Sequence, residues 1–215
     1  MPNKPKKFEI FELFPIIVLP ESSAPFSFIP EKSIPKVRKW IDTLNVRVII
    51  SNPRSTKLGD FRVKNNFLLV SVNNNLNPFS FLITLTHELA HAFVYKTYGN
   101  SVSPHGKEWK EMFRSMLLAF MSTDYFPEDI LKVLSIYIKN PKASTLTDFK
   151  LANTLRLYNK NKSITLLDIE EGSTFQSRGR LFVKGKKRRT RFKCIEKKTN
   201  REYLFHPLAE VIFVQ

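Results

Sequence analysis

At 215 residues the chain has room for one ordinary domain and a small appendage, with a core that needs no covalent staples. Its 42% apolar and 25% charged residues exclude a disordered or fibrous polypeptide, and the single cysteine, Cys194, excludes an intramolecular disulfide or a cysteine-built zinc ribbon. The net charge of +16 is uneven: residues 161–215 carry 13 basic and 6 acidic side chains, a density that points to a polyanion such as nucleic acid or an anionic membrane surface.

Lys4, Lys6 and Lys7 precede an apolar stretch, as in a signal peptide. Glu9 and Glu12 interrupt that stretch, and Pro15 and Pro20 bracket the short run 16–19. Such a run is too short for a signal core or a membrane span, so a cytoplasmic protein is expected. Ser33 is placed to cap a helix to about Leu44, with Ile34, Val37, Ile41 and Leu44 on one face. Strands follow over 46–50, 58–64 and 67–72, with Asn65-Asn66 as a tight turn between the last two. Asn77-Pro78 opens a long helix that Gly99 stops near Tyr98. Ser103-Pro104 repeats the start signal, for a helix to about Met121. Pro127 starts a third helix, with Glu128 and Asp129 in its first turn, ending before Pro141. Thr147 caps a last one, to about Tyr158. From Ser163 onward short β-rich runs (174–176, 181–184, 189–195, 203–205, 211–214) alternate with glycine and charged turns. The reading is α+β: a domain over 1–160 with a small sheet and helices, then a basic all-β module over 161–215.

The central feature is His87-Glu88-Leu89-Ala90-His91. On a helix, residues four apart share a face, so the two imidazoles can address one metal, and Glu88 can reach a water held there. This is the spacing of helical zinc peptidases, with the glutamate as general base. Leu82, Leu85, Leu89 and Phe93 supply a buried face opposite. A catalytic zinc needs a third protein ligand and an open position. Val94 and Thr97 stand where a third histidine on a His-x-x-Gly-x-x-His continuation would require other residues. His105, in Pro104-His105-Gly106-Lys107-Glu108-Trp109, is the best alternative, with Gly106 letting the backbone pass near the metal; Glu108, Glu111 and Asp124 are weaker ones. His206, Trp40, Trp109 and Cys194 read as structural residues.

At these residues the chain resembles the SprT-like metalloproteases, the family that includes Spartan. Thr56-Lys57-Leu58-Gly59-Asp60-Phe61-Arg62 is similar to the family's strand leading into the site. Residues 82–91 are similar to its active-site helix, and His105-Gly106-x-x-Trp109 to its third-ligand motif. The resemblance covers roughly residues 30–125. It implies a zincin-type α+β domain, one Zn2+ held by His87, His91 and His105, catalytic Glu88, and work on DNA-associated or DNA-crosslinked proteins. Many members end in a four-cysteine zinc ribbon, which the β module replaces here.

The expected function is thus a zinc metallopeptidase that hydrolyses peptide bonds with Glu88 as base. Tyr95, Tyr98 and Tyr125 remain open as donors to the oxyanion, and substrate is expected to add as a strand along 67–72. The rival is a non-catalytic nucleic-acid-binding protein with a structural metal site, against which intact Glu88 argues. Between Arg178 and Arg201 stand twelve basic residues and one acidic residue, Glu196. Lys184, Lys186, Lys187, Arg188, Arg189, Arg191 and Lys193 are the candidate nucleic-acid contacts. Phe182, Phe192, Tyr203 and Phe205 interleave with them, either exposed to stack on unpaired bases or turned in as the module's core.

Overall fold

The computed structural model describes residues 25–54 and 56–214. The interrupted apolar stretch near the N-terminus lies outside the described residues. Short 3-10 turns at Phe26–Phe28 and Glu31–Ser33 lead into α1 (Ile34–Leu44), which turns Val37 and Leu44 inward. Ser33 does not cap it by side chain; its hydroxyl donates to the Pro30 carbonyl within the preceding turn. Asn45, left-handed at φ 52°, ends the helix.

Three strands follow: β1 (Val46–Ser51), β2 (Gly59–Lys64) and β3 (Phe67–Asn73). Asn65 and Asn66 both take positive φ, 49° and 63°, the conformation a two-residue hairpin turn requires and asparagine tolerates. The sheet order is β1-β3-β2, with β3 parallel to β1 and antiparallel to β2. The segment expected to offer a free edge to substrate, 67–72, is therefore the central strand, with both its edges occupied. The open edge on the side of the site belongs to β2.

Helix α2 (Pro78–Tyr98) covers this sheet. The Asn77 side chain accepts from the Ser80 amide and donates to the Leu155 carbonyl and the Asn159 side chain, so one residue caps α2 and ties it to the last helix. Gly99 closes the other end at φ 59°. Every residue from Phe81 to Ala90 is buried, so the helix runs through the core rather than along its surface. α3 (Lys107–Leu118) buries Trp109, Phe113, Met116 and Leu117 against it. This helix begins three residues after the Ser103-Pro104 signal, because residues 103–106 form a turn with His105 left-handed at φ 59°. α4 (Glu128–Tyr137) starts after Pro127, and Arg114 donates to the Ile138 and Lys139 carbonyls at its far end. α5 (Phe149–Arg156) is capped by Asp148, whose side chain accepts from the Leu151 amide, and not by Thr147.

The remaining chain forms an antiparallel five-stranded sheet, β4 (Thr174–Ser177), β5 (Arg180–Arg188), β6 (Arg191–Glu196), β7 (Glu202–Phe205) and β8 (Ile212–Val214), in the order β7-β6-β5-β4-β8. It closes over its own core of Leu166, Phe175, Phe182, Phe192, Cys194 and Val211, separate from the core of the first region. Phe205 and Tyr203 pack onto that core. The interleaved aromatics thus face inward, and the base-stacking arrangement is not formed. β5 bulges between Lys184 and Lys187, where the Lys193 carbonyl lies 2.5 Å from the place a Gly185 Cβ would take. Arg156 joins the two regions through a bidentate pair with Asp168, at 2.6 and 3.1 Å. Partial burial pushes the Asp168 carboxyl upward, but the bonds from Arg156 and Thr165 outweigh it and hold the group at about 2.

Candidate metal centre

His87 and His91 stand one turn apart on α2, and the left-handed turn at His105 swings a third imidazole over from the start of α3. Their Nε2 atoms lie 3.1 Å (His87–His105), 3.2 Å (His87–His91) and 3.0 Å (His91–His105) apart. Three nitrogens at zinc–nitrogen distances around a tetrahedral ion would be about 3.3 Å apart. The three cannot satisfy one another as hydrogen-bond partners, since each neutral ring offers one donor and one acceptor and all three present the same atom to a common point. A cation there resolves the arrangement. It is the one cluster of metal-binding type among the described residues.

The imidazoles are kept neutral, the state in which they ligate. Burial, with His91 and His105 nearby, lowers His87 to about 2, and burial with His105 lowers His91 to about 4. Burial also lowers His105. Aromatic walls fix the rings. His91 is stacked between Trp109 (5.3 Å, 25°) and Phe61 of β2 (6.4 Å, 9°), and Trp109 meets His87 and His105 at 4.5 and 4.7 Å. Its indole Nε1 also donates to the His87 carbonyl at 3.4 Å. Phe61 and Trp109 were therefore missed as site residues. Trp109 is a core residue, as expected, and the wall of the site as well. A ring two residues into the strand after Gly59, facing a helix of known register, is the signal that could have found Phe61.

Glu88 is 7% exposed and lies under the start of β2. A Cβ on Gly59 would sit 2.6 Å from its Oε1, so the strand approaches as closely as a glycine permits. Burial first, and Asp60 second, raise its carboxyl from 4.5 to about 8, against Arg54, Lys57 and the Phe61 amide. Asn73 holds Arg54 and Lys57 on the approach to Gly59. Its side-chain amide donates to the Arg54 and Lys57 carbonyls, while Arg54 Nε donates to its oxygen at 2.8 Å.

Other candidates fall elsewhere. Asp124 is ion-paired with Lys32 on the surface at 2.5 Å. Gly106 does not make room for a metal: the Ser103 carbonyl lies 2.9 Å from where its Cβ would be, so the glycine serves the turn that aims His105. Of the three tyrosines, Tyr95 lies beside the site, its ring 5.9 Å from Phe61. Tyr125 is held by Lys36 and Phe120, and Tyr98 is exposed at the end of α2. His206 accepts from the Leu208 amide in its own turn. Lys184 is buried at 6% exposure, its amine spent on the Ile169 carbonyl and 4.1 Å above the Phe192 ring, so it leaves the set of nucleic-acid contacts. Lys186, Lys187, Arg188, Arg189 and Arg191 are exposed around the β5–β6 turn. Lys193 pairs with Glu202.

Residues 38–129 match the model of the SprT-like family. Protein SprT of Yersinia pseudotuberculosis serotype O:1b (strain IP 31758) and Protein SprT of Yersinia pestis are each 39% identical over 67 residues, 31% of this chain and 37% of theirs. The chain thus spans little more than a third of the length of these curated relatives. No solved structure matches. No helix among the described residues is long and apolar enough to cross a membrane. The matched stretch contains all three histidines, Glu88 and the sheet that covers them, and over it this chain is similar to the SprT-like family.

Proposed function

We propose that the protein is a zinc-dependent metallopeptidase. The observation that carries this reading is the convergence of three neutral imidazole nitrogens beside a buried carboxylate that has no salt-bridge partner among the described residues. A purely structural site would need a fourth ligand and no such base. Zinc held there would bring a coordinated water's pKa toward neutrality and polarise a carbonyl. Glu88 takes the proton from the attacking water and passes it to the departing amine. To act as base Glu88 must be ionised, and a cation held by the neighbouring imidazoles would favour that form against the burial that raises it. Gly59 lets β2 close over the Glu88 carboxyl, and Phe61 and Trp109 keep His91 from rotating. Tyr95, whose ring meets Phe61 of the site wall, is the donor to the oxyanion that we infer among the three tyrosines. The free edge of β2 supplies main-chain groups on which an extended substrate can add as a strand.

The substrate class we infer is protein associated with or crosslinked to DNA. What supports it is the cluster of exposed cations at the β5–β6 turn, which has the charge for phosphate contact without base reading. Metal analysis and proteolysis by wild type and Glu88→Gln, with and without DNA, test the reading. The expected outcome is one zinc per chain in both proteins and cleavage by wild type alone. Equal cleavage by both would remove Glu88 from the mechanism. Loss of metal from His105→Ala, alongside His87→Ala and His91→Ala, checks the three-histidine set.

A further inference from the structure

The outer face of the five-stranded sheet carries aliphatic side chains that none of the described residues covers. Side chains alternate across a strand, so the residues between the buried Phe182, Cys194 and Phe175 point outward. The register sets Val183 beside Ile195, aligns Leu181 with Gln176 and Ile212, and sets Leu204 across from Lys193. Leu181, Ile195, Leu204 and Ile212 are 41, 39, 57 and 66% exposed. Single exposed aliphatics are ordinary, but Leu181, Val183 and Ile195 adjoin on β5 and β6, with Ile212 beyond Gln176 on one side and Leu204 beside Lys193 on the other. A cavity of about 380 Å³ opens on this face, floored by Val183 and Ile195 and edged by Lys186, Arg188 and Lys193.

The chemistry of this face selects among partners. Bases stack on aromatic rings, and the module's phenylalanines are turned inside. A second copy would set the same cations against themselves, in a chain of net charge +16. A sheet face of this kind is covered in most proteins by a helix with an apolar stripe. Here the edges of the cavity are basic, and neither Lys186 nor Arg188 has a carboxylate partner among the described residues. We propose that this face docks an acidic amphipathic helix of another protein, its aliphatic stripe on Val183, Ile195 and their neighbours and its carboxylates against Lys186 and Arg188. The proposal does not depend on the peptidase reading.

The test uses the full chain and two labelled peptides of identical composition. One has leucine at helical spacing with glutamate around it, and the other is a scramble with no stripe. Val183→Thr and Ile195→Thr keep strand-favouring branched side chains while removing apolar surface, and circular dichroism and thermal unfolding confirm their fold. The striped peptide should bind wild type by fluorescence anisotropy and the scramble at least about tenfold more weakly, with each threonine variant losing about tenfold for the striped one. Equal binding of the two peptides, or undiminished binding to folded variants, would show charge alone at work and overturn the proposal. Absence of binding to wild type would overturn it too. So would a threonine effect on a single-stranded oligonucleotide and not on the peptide, or wild-type self-association that the variants lose.

Discussion

Glu88 is packed so closely under Gly59 that one added methyl group has nowhere to go. Gly59→Ala should therefore cost about 1–3 kcal/mol of stability, the usual range for overpacking. Because the methyl would meet Glu88 and Thr84 and not a histidine, zinc content should be kept while cleavage falls; metal analysis beside a rate assay reads both. The same burial makes a statement about pH. A carboxyl raised from 4.5 to about 8 binds its proton more tightly folded than unfolded, so it lowers stability as pH rises between those values. In metal-free protein Glu88→Gln should raise the melting temperature at pH 8. The gain should shrink on acidification and vanish below about pH 4.5, where both states are protonated. A gain that grew toward acid would contradict the assigned cause.

At the scale of elements, what was legible in the sequence is what is decided locally. Asn77-Pro78 and Gly99 bound α2 because a cap and a left-handed stop act within one turn, and Asn65-Asn66 makes its hairpin for the same reason. The facing of His87 and His91 follows from helical period alone. What was not legible depends on partners distant in sequence. Strand β3 sits at the centre because β1 returns to pair with it in parallel, which no feature of 67–72 announces. The later start of α3 follows from the bend that aims His105, an angle set by the two other histidines. The inward turn of Phe182 and Phe192 rests on strand parity, which the bulge at Gly185 resets midway along β5. Lys184 shows the same limit: it stands in a run of cations but on the buried parity. The exposed cations of that hairpin lead to an expectation about DNA. Reversal of Lys186, Lys187, Arg188 and Arg189 to glutamate should abolish most binding, leave zinc content unchanged, and flatten the dependence of log affinity on log salt in filter or anisotropy titrations. Unaltered binding at low salt would place the contact elsewhere.

For the whole molecule, the two cores are separate, and the Arg156–Asp168 pair and the Lys187 ammonium over the Phe149 ring are contacts that reach from one region to the other. Removal of residues 163–215 should accordingly leave a domain that still binds metal, since every ligand and both aromatic walls lie in the first core. The turn at His105 carries one more consequence, and it concerns time. Two of the ligands are neighbours on a single helix and come together within the microsecond or less that a helix takes to form. The third arrives only when α3 docks against α2 across the intervening turn. Folded metal-free protein should therefore take up zinc in one phase whose rate rises with zinc concentration. Chain diluted from denaturant into zinc should instead show a step whose rate ignores zinc concentration, set by that docking. Stopped-flow with a zinc-sensitive dye distinguishes them, and the slower step would clock the moment at which the two helices of the site first become one object.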